Sequence, residues 1–194
     1  MKEKTILAIY GSPRKAGITS QLCGALVDGA ERSGNRVIKI FLSELKLNNC
    51  TGCRKCQESG RCIIRNDDIE ILEKGILEAD IIVVACPTHW GNLTGYILTV
   101  FERLFGFLIK EQKFGFPIAV NAKGKKAIII TSCSTSWPFN YIFNQSRSVV
   151  SRLKEIFRYS KVKIIKKIIL SGTFNMKTVP EKYLIKTRKY GEKL

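Results

Sequence analysis

The sequence is poor in several residue types and patterns. Its 194 residues include one histidine, His89, and two methionines, and they show no recognisable catalytic triad or pair of carboxylates. No apolar run approaches the roughly 18–20 residues that span a bilayer. The apolar run Thr5–Tyr10 is too short for the core of a signal peptide, and no small-residue cleavage site follows it. We therefore expect a cytoplasmic protein with no membrane partner.

The chain also lacks internal repeats, low-complexity tracts and Pro/Gly-rich linkers, which predicts one domain over residues 1–194. Hydrophobic residues make up 45% of the chain and charged residues 25%, a balance that is typical of globular proteins with a sizeable core. This composition excludes a disordered, collagen-like or coiled-coil chain.

Acidic residues are scarce towards the end of the chain. Residues 121–194 carry 17 Lys and Arg against 3 Asp and Glu, and they supply most of the formal net charge of +17. A basic half can bind nucleic acid or steer an acidic partner. Because the sequence contains no helix-turn-helix, RNA-binding or zinc-finger pattern, it favours either a solvated lysine-rich surface or a partner-docking surface. A different class of function, a nucleic-acid or regulatory binding module, stays open as an alternative.

Short apolar runs alternate with amphipathic segments along the chain. The apolar runs predict five strands, at residues 6–10, 36–42, 80–86, 126–131 and 161–170. The amphipathic segments predict helices over residues 19–33, 67–78, 93–109, 144–159 and 178–192. This alternation predicts an α/β fold with a doubly wound, five-stranded parallel sheet of order 2-1-3-4-5 and helices on both faces. Ligands of such sheets bind beyond the carboxyl ends of the strands, here between the first and third strands.

The loop after the first strand, residues 11–20, joins a buried strand to the start of a helix. Its glycines, hydroxyls and one guanidinium, together with the free N–H groups of the helix, are typical of an anion site. The loop lacks both the GxGxxG pattern and the GK[ST] ending, so it predicts a monophosphate site rather than a pyrophosphate or triphosphate site. The candidate ligand-binding residues of this loop are Ser12, Arg14, Gly17, Thr19, Ser20 and Gln21.

The loops after the third and fourth strands place polar backbone and aromatic side chains at the same edge of the sheet. This combination can hold a flat ring through backbone hydrogen bonds. His89 has no identifiable partner, so we expect it to stack or pack rather than to transfer a proton. Trp137 and Phe139 are either ring contacts or surface anchors. The candidate binding residues of these two loops are Pro87, Thr88, His89, Trp90, Gly91, Asn92, Cys133 and Ser134.

These loops resemble those of the NADPH-dependent FMN reductases, a group of flavodoxin-like flavoproteins. Residues 11–20 are similar to the FMN-phosphate loop of that family, and residues 87–92 are similar to its flavin-ring loop, with Phe101-Glu102-Arg103 on the helix that follows. The family's ring loop often has Tyr where this chain has His89. The resemblance covers nearly the whole chain and implies a flavodoxin-like fold, bound FMN, a reduced nicotinamide donor and a homodimer or homotetramer.

Four of the seven cysteines lie within thirteen residues, in a loop at about residues 44–66. Their spacing, C-x2-C-x2-C-x5-C, suits a [4Fe–4S] cluster, which needs four thiolates, whereas zinc sites generally use two separated pairs. The run is also similar to the cluster motif of the iron–sulfur flavoproteins, a branch of the same family, although other members keep cysteines here without a cluster. A cluster, a zinc ion and free or structural thiols stay open for Cys50, Cys53, Cys56 and Cys62.

The resemblance implies two functions. The first is an FMN-dependent oxidoreductase that takes electrons from NAD(P)H and passes them to a small acceptor or to an iron–sulfur cluster. The alternative is an iron–sulfur flavoprotein that transfers electrons with a ferredoxin-like partner, docked on the basic half of the chain. In both, the flavin carries the chemistry, so we predict no catalytic side chain.

Overall fold

The computed structural model describes residues 3–194. The strands are β1 (Thr5–Tyr10), β2 (Arg36–Phe41), β3 (Ile81–Ala85), β4 (Ile109–Lys110), β5 (Ile118–Ala119), β6 (Lys126–Ser132) and β7 (Lys163–Leu170). The helices are α1 (Ile18–Arg32), α2 (Cys56–Ser59), α3 (Ile69–Glu78), α4 (Gly95–Arg103), α5 (Phe105–Leu108), α6 (Phe139–Ile142), α7 (Gln145–Tyr159) and α8 (Glu181–Gly191). Among the described residues, no helix is both long enough and apolar enough to cross a membrane.

Five of the strands form one parallel sheet in the order β2-β1-β3-β6-β7. This confirms the predicted order 2-1-3-4-5, because β6 and β7 are the fourth and fifth of the predicted strands. Strand β7 lies at one edge, where its lysines Lys163, Lys166 and Lys167 discourage further pairing. The winding reverses between β1 and β3, so their carboxyl ends bound a crevice.

Helices cover both faces of the sheet. Alternate residues of β1 point to opposite faces. Ile6 and Ala8 pack with α1 and α8, whereas Leu7 and Ile9 pack with α3, α4 and α7. Residues 6–9 of β1 and the whole of β3 are apolar, as expected for strands that are buried on both sides.

Two glycines bring α1 and α8 into backbone contact. A Cβ atom on Gly29 would lie 2.1 Å from the carbonyl oxygen of Arg188, and one on Gly191 would lie 2.1 Å from the carbonyl oxygen of Leu26. No side chain fits at such distances, so the last helix can dock on the first only through these glycines.

The helix predicted over residues 93–109 is in fact two helices, α4 and α5, separated at Leu104. The prediction was wrong because the apolar period continues across the break, and both Leu104 and Leu108 are buried. The short helix α5 brings Gly106 against the backbone of Cys56, where a Cβ atom would lie 2.2 Å from the carbonyl oxygen. After α5 the chain forms a small antiparallel hairpin, β4–β5, which was not predicted.

Candidate functional site

A cavity of about 610 Å³ opens at the carboxyl edge of the sheet. Its lining includes the hydroxyl residues Ser12, Thr19 and Ser132, the basic residue Arg14, and Pro87. The volume lies in the range of small-molecule sites. The cavity lies at the carboxyl ends of β1, β3, β6 and β7, the edge of the sheet at which doubly wound folds bind their ligands.

The loop between β1 and α1 folds around the carbonyl oxygen of Arg14. The Ser20 hydroxyl donates to this oxygen at 2.9 Å and the Gly17 N–H donates at 3.0 Å, while the Arg14 N–H donates to Ser12 Oγ at 3.2 Å. The Thr94 hydroxyl donates to the Gly11 carbonyl at 2.9 Å and so ties the loop to the start of α4. These bonds fix the loop at the cavity wall.

Helix α1 begins at this cavity with free backbone donors. Gly17 is its N-cap residue, no side chain caps it, and its first turn holds no acidic residue. The first N–H groups of a helix have no intrahelical partner and carry the positive end of its dipole. The Thr19 and Ser132 hydroxyls lie 2.5 Å apart beside them. This set of donors fits a phosphate monoester.

The loop after β3 makes a tight turn beside the cavity. The N–H groups of His89 and Asn92 each donate to the other's carbonyl, at 3.1 and 2.8 Å. Trp90 and Gly91 between them both have positive φ, 51° and 64°, as in a type I′ turn. The Trp90 side chain is fully exposed. Pro87 lines the first cavity, whereas His89 lines a neighbouring cavity of about 400 Å³.

The loops after β6 and β7 complete the wall, and the sequence pointed only to the first of them. Ser134 lines the cavity, as do Thr173 and Lys177 from the segment that follows β7. The Thr173 N–H and hydroxyl both donate to the Cys133 carbonyl, at 3.1 and 3.0 Å. All parallel strands of a sheet have their carboxyl ends at the same edge. The residues that follow the fifth predicted strand, among them Thr173 and Lys177, could therefore have been predicted at this site.

Six of the predicted binding residues line the cavity: Ser12, Arg14, Gly17, Thr19, Pro87 and Ser134. The structure places Ser20, Gln21, Thr88, Asn92 and Cys133 in hydrogen bonds within the surrounding loops. Gln21, for example, donates to the Ala16 carbonyl at 2.7 Å and accepts the Val179 N–H at 2.8 Å. Burial raises the pKa of the Cys133 thiol. Direct contact of these residues with a cofactor stays a prediction.

The four clustered cysteines lie in the segment before α3, and Asn49, which precedes the first of them, lines the second cavity. All four are free thiols: Cys50 and Cys53 are exposed, Cys56 is half-buried and Cys62 is buried. Hydrogen bonds from the Lys55 backbone and from the Thr51 hydroxyl lower the pKa of Cys53. Four free thiols fit an iron–sulfur cluster in chemical type. Within residues 3–194, however, no three ligand side chains stand together as a preformed metal site.

Arg103, at the end of α4, lies buried against this cysteine segment. Its guanidinium pairs with the buried carboxylate of Asp67 at 2.6 and 3.1 Å. Burial favours the protonated carboxyl group, but the bonds from Arg103 and from the backbone N–H groups of Asn48 and Ile69 outweigh it. They lower the pKa of Asp67 to about 2. The pair is therefore charged at neutral pH.

Comparison with known proteins agrees with this architecture. A family model described as a flavodoxin-like fold matches residues 4–194. The chain belongs to this flavodoxin-like family. The predicted fold class and family are thereby confirmed.

One curated relative of this flavodoxin-like protein is named iron-sulfur flavoprotein, from Archaeoglobus fulgidus. It is 36% identical over 119 residues, which cover 60% of this chain and 54% of the relative. The chain thus matches about half the length of that relative.

Solved structures share the fold at low sequence identity. The NAD(P)H:quinone oxidoreductase from Methanothermobacter marburgensis has a TM-score of 0.78 at 16% identity, with 98% of each chain covered. An FMN-dependent NADH-azoreductase from Bacillus anthracis, in complex with FMN, has a TM-score of 0.69 at 13% identity and covers 99% of this chain and 97% of its own.

Proposed function

We propose that this protein binds FMN at the carboxyl edge of the sheet and acts as an FMN-dependent oxidoreductase with NAD(P)H as the electron donor. One observation carries the proposal: the N-terminus of α1 lies at the cavity and no side chain caps it, and the hydroxyls of Ser12 and Thr19 line the same cavity. Family membership and the FMN named for one structural neighbour support it. FMN, when bound, supplies the electron-transfer chemistry.

The protein's own residues bind and orient the cofactor in this proposal. Ser12, Arg14, Thr19 and the first N–H groups of α1 hold the phosphate, because they are donors at the positive end of a helix. The turn at residues 87–92 and the loop at residues 133–139 flank the flavin ring. In this proposal the flavin carries the chemistry, so neither loop has to supply a side chain that transfers a proton.

The visible spectrum of the purified protein tests this function. We expect flavin absorption bands, either as purified or after addition of FMN, that bleach under anaerobic conditions when NADH or NADPH is added. Addition of a quinone or an azo dye should restore the bands if a small oxidised molecule is the acceptor. Absence of bound flavin after FMN addition would overturn the proposal. Flavin bands that neither NADH nor NADPH bleaches would overturn the assignment of NAD(P)H as the electron donor.

We further propose that Cys50, Cys53, Cys56 and Cys62 hold a [4Fe–4S] cluster as a second redox centre. The support is the spacing of four free thiols and the name of the relative from Archaeoglobus fulgidus. After anaerobic reconstitution we expect four iron and four sulfide per chain. Cys53→Ser should lose them, while Cys23→Ser, at a buried thiol of α1, should keep them. Zinc without sulfide, or no metal at all, would contradict the proposal.

A groove of about 580 Å³ between β7 and α8 favours the alternative function, electron transfer with a ferredoxin-like partner. The groove contains no acidic residue and is lined by the lysines Lys166, Lys167, Lys182, Lys186, Lys189 and Lys193. Such a surface steers acidic proteins, and salt screens the attraction. Reduction by ferredoxin that slows several-fold between low and physiological salt would support this alternative, and a rate independent of salt would exclude this docking.

We also propose the homodimer or homotetramer that the resemblance implies. Several aromatic side chains are more than three-quarters exposed, and burial in a contact between subunits would remove their apolar surface from water. They are Trp90, Phe114, Phe116, Trp137 and Phe174. Sedimentation at micromolar concentration should give at least twice the 21.9 kDa of one chain, and a strictly monomeric protein would contradict the proposal.

A further inference from the structure

The guanidinium of Arg103 has no unused hydrogen-bond donor. It carries five N–H groups, and its three nitrogens make five hydrogen bonds. Two of these go to the Asp67 carboxylate, and two go to the carbonyl oxygens of Asn48 and Ile64, both at 2.6 Å. The fifth, from Nε, goes to the sulfur of Cys62 at 3.1 Å.

These five bonds join the two ends of the cysteine segment. Asn48 precedes its first cysteine, whereas Cys62, Ile64 and Asp67 close it. The Arg103 side chain is fully buried, and Asp67 balances its charge. Because a buried guanidinium without its acceptors is costly, Arg103 holds both ends of the segment and the Cys62 sulfur in one arrangement.

We propose that Arg103 is the positioning residue of the cysteine segment: it fixes the Cys62 sulfur as the anchoring ligand, and the other three cysteines close onto it when a cluster assembles. This inference rests on the cluster part of the proposed function. It accounts for the burial of Cys62, whereas Cys50 and Cys53 are exposed and no three ligand side chains are gathered in the described part of the chain.

The bond from Arg103 is suited to a metal-bound cysteine. A charged N–H donor binds a thiolate more strongly than a neutral thiol, and hydrogen bonds to ligand sulfurs tune the potential of a cluster. Lysine keeps the charge but cannot reproduce the planar fork of five donors. Arg103→Lys is therefore the informative variant. Arg188→Lys is the matched control, since Arg188 also pairs with an aspartate, Asp28, at 2.6 Å, but on α1.

Thiol labelling of the full chain before iron and sulfide are added tests the positioning itself. We expect an alkylating reagent to modify Cys50 and Cys53 at least tenfold faster than Cys62. Arg103→Lys should raise the labelling rate of Cys62 at least tenfold, and Arg188→Lys should leave it unchanged. Equal labelling of Cys62 and Cys50 in the parent protein would overturn the inference.

The reduction potential of the reconstituted cluster supplies a readout that a purely structural role would not move. In Arg103→Lys we expect less iron per chain and a lower midpoint potential for the iron that is bound, with both values unchanged in Arg188→Lys. An unchanged potential in Arg103→Lys would contradict the N–H to sulfur bond.

A measurement on the parent protein covers the case in which Arg103→Lys fails to fold. With 15N labelling, the Nε–H resonance of Arg103 should be protected from exchange and should shift when Zn(II) is added as a probe of the thiols, while that of Arg188 stays in place. An Arg103 resonance that does not shift overturns the inference. FMN titration of the same samples reports separately on the flavin proposal, which survives if only the cysteine segment fails.

Discussion

At the scale of the residue, Arg14 supplies the positively charged side chain of the proposed phosphate site. It is the only residue of the β1–α1 loop that both lines the cavity and carries a charge. Its neighbour Lys15 instead pairs with Glu44 and lies over the ring of Phe41. The two positions therefore separate a local phosphate contact from the general positive charge of the loop.

Arg14→Gln should weaken FMN binding by about 10- to 100-fold, since a hydrogen bond to a charged group contributes about 1.5–3 kcal/mol. Lys15→Gln removes the same charge next to the site and should change the dissociation constant less than about threefold. Quenching of FMN fluorescence measures both constants. Equal losses in the two variants would show that Arg14 acts only through the overall field.

The buried pair of Asp67 and Arg103 makes a prediction about pH. The pKa of Asp67 is lowered to about 2, so its contribution to stability is fully present above the ordinary value of about 4 and is lost as the pH falls from about 4 to 2. A shift of this size corresponds to about 2 kcal/mol of unfolding free energy.

Urea unfolding between pH 7 and pH 2 measures this contribution. Asp67→Asn should lower the unfolding free energy at pH 7, and the variant should then lose less unfolding free energy than the parent protein as the pH falls. Asp28→Asn breaks the half-exposed pair with Arg188 and should alter the pH dependence far less, because solvent screens that pair. An acid-induced loss of the same size in Asp67→Asn and the parent protein would refute the assignment.

At the scale of the element, the contact between α1 and α8 requires glycine, which has no side chain, at position 29. Gly29→Ala places a Cβ atom 2.1 Å from the Arg188 carbonyl oxygen, so the helices must separate. We expect a loss of about 1–3 kcal/mol in unfolding free energy, as for overpacked cores.

Gly24→Ala is the control in the same helix, because a Cβ atom there meets nothing within 4 Å. Alanine is the better helix former, so this variant should gain up to about 1 kcal/mol. Thermal or urea unfolding compares the two variants. A neutral or stabilising Gly29→Ala would mean that the helices tolerate separation.

The same scale shows what the sequence could and could not predict. The five long strands were predictable because buried parallel strands are continuously apolar, as in β3, and the lysines of β7 indicated its edge position. The break at Leu104 was not, since its apolar period continues into α5. The contacts of Arg103 were also missed, because its five acceptor atoms are distant in sequence from α4 and only the fold brings them together.

At the scale of the whole molecule, the two chemical features of the sequence occupy different places. The β1–α1 loop, the proposed phosphate site, lies at the carboxyl edge of the sheet, whereas the lysine groove lies between β7 and α8. Six of the 17 basic residues in 121–194 line the lysine groove, whereas one of them, Lys177, lines the proposed flavin cavity. This distribution favours partner docking over phosphate binding as the role of the excess charge.

The central claim is that the start of α1 recognises the phosphate of a flavin mononucleotide. A titration of the purified chain with FMN and with riboflavin, which has the same ring and no phosphate, tests it most directly. We predict one FMN per chain and riboflavin affinity at least about tenfold lower, since the charge-assisted bonds of the phosphate are lost. Equal affinity for the two flavins, or no binding of FMN, would contradict the account.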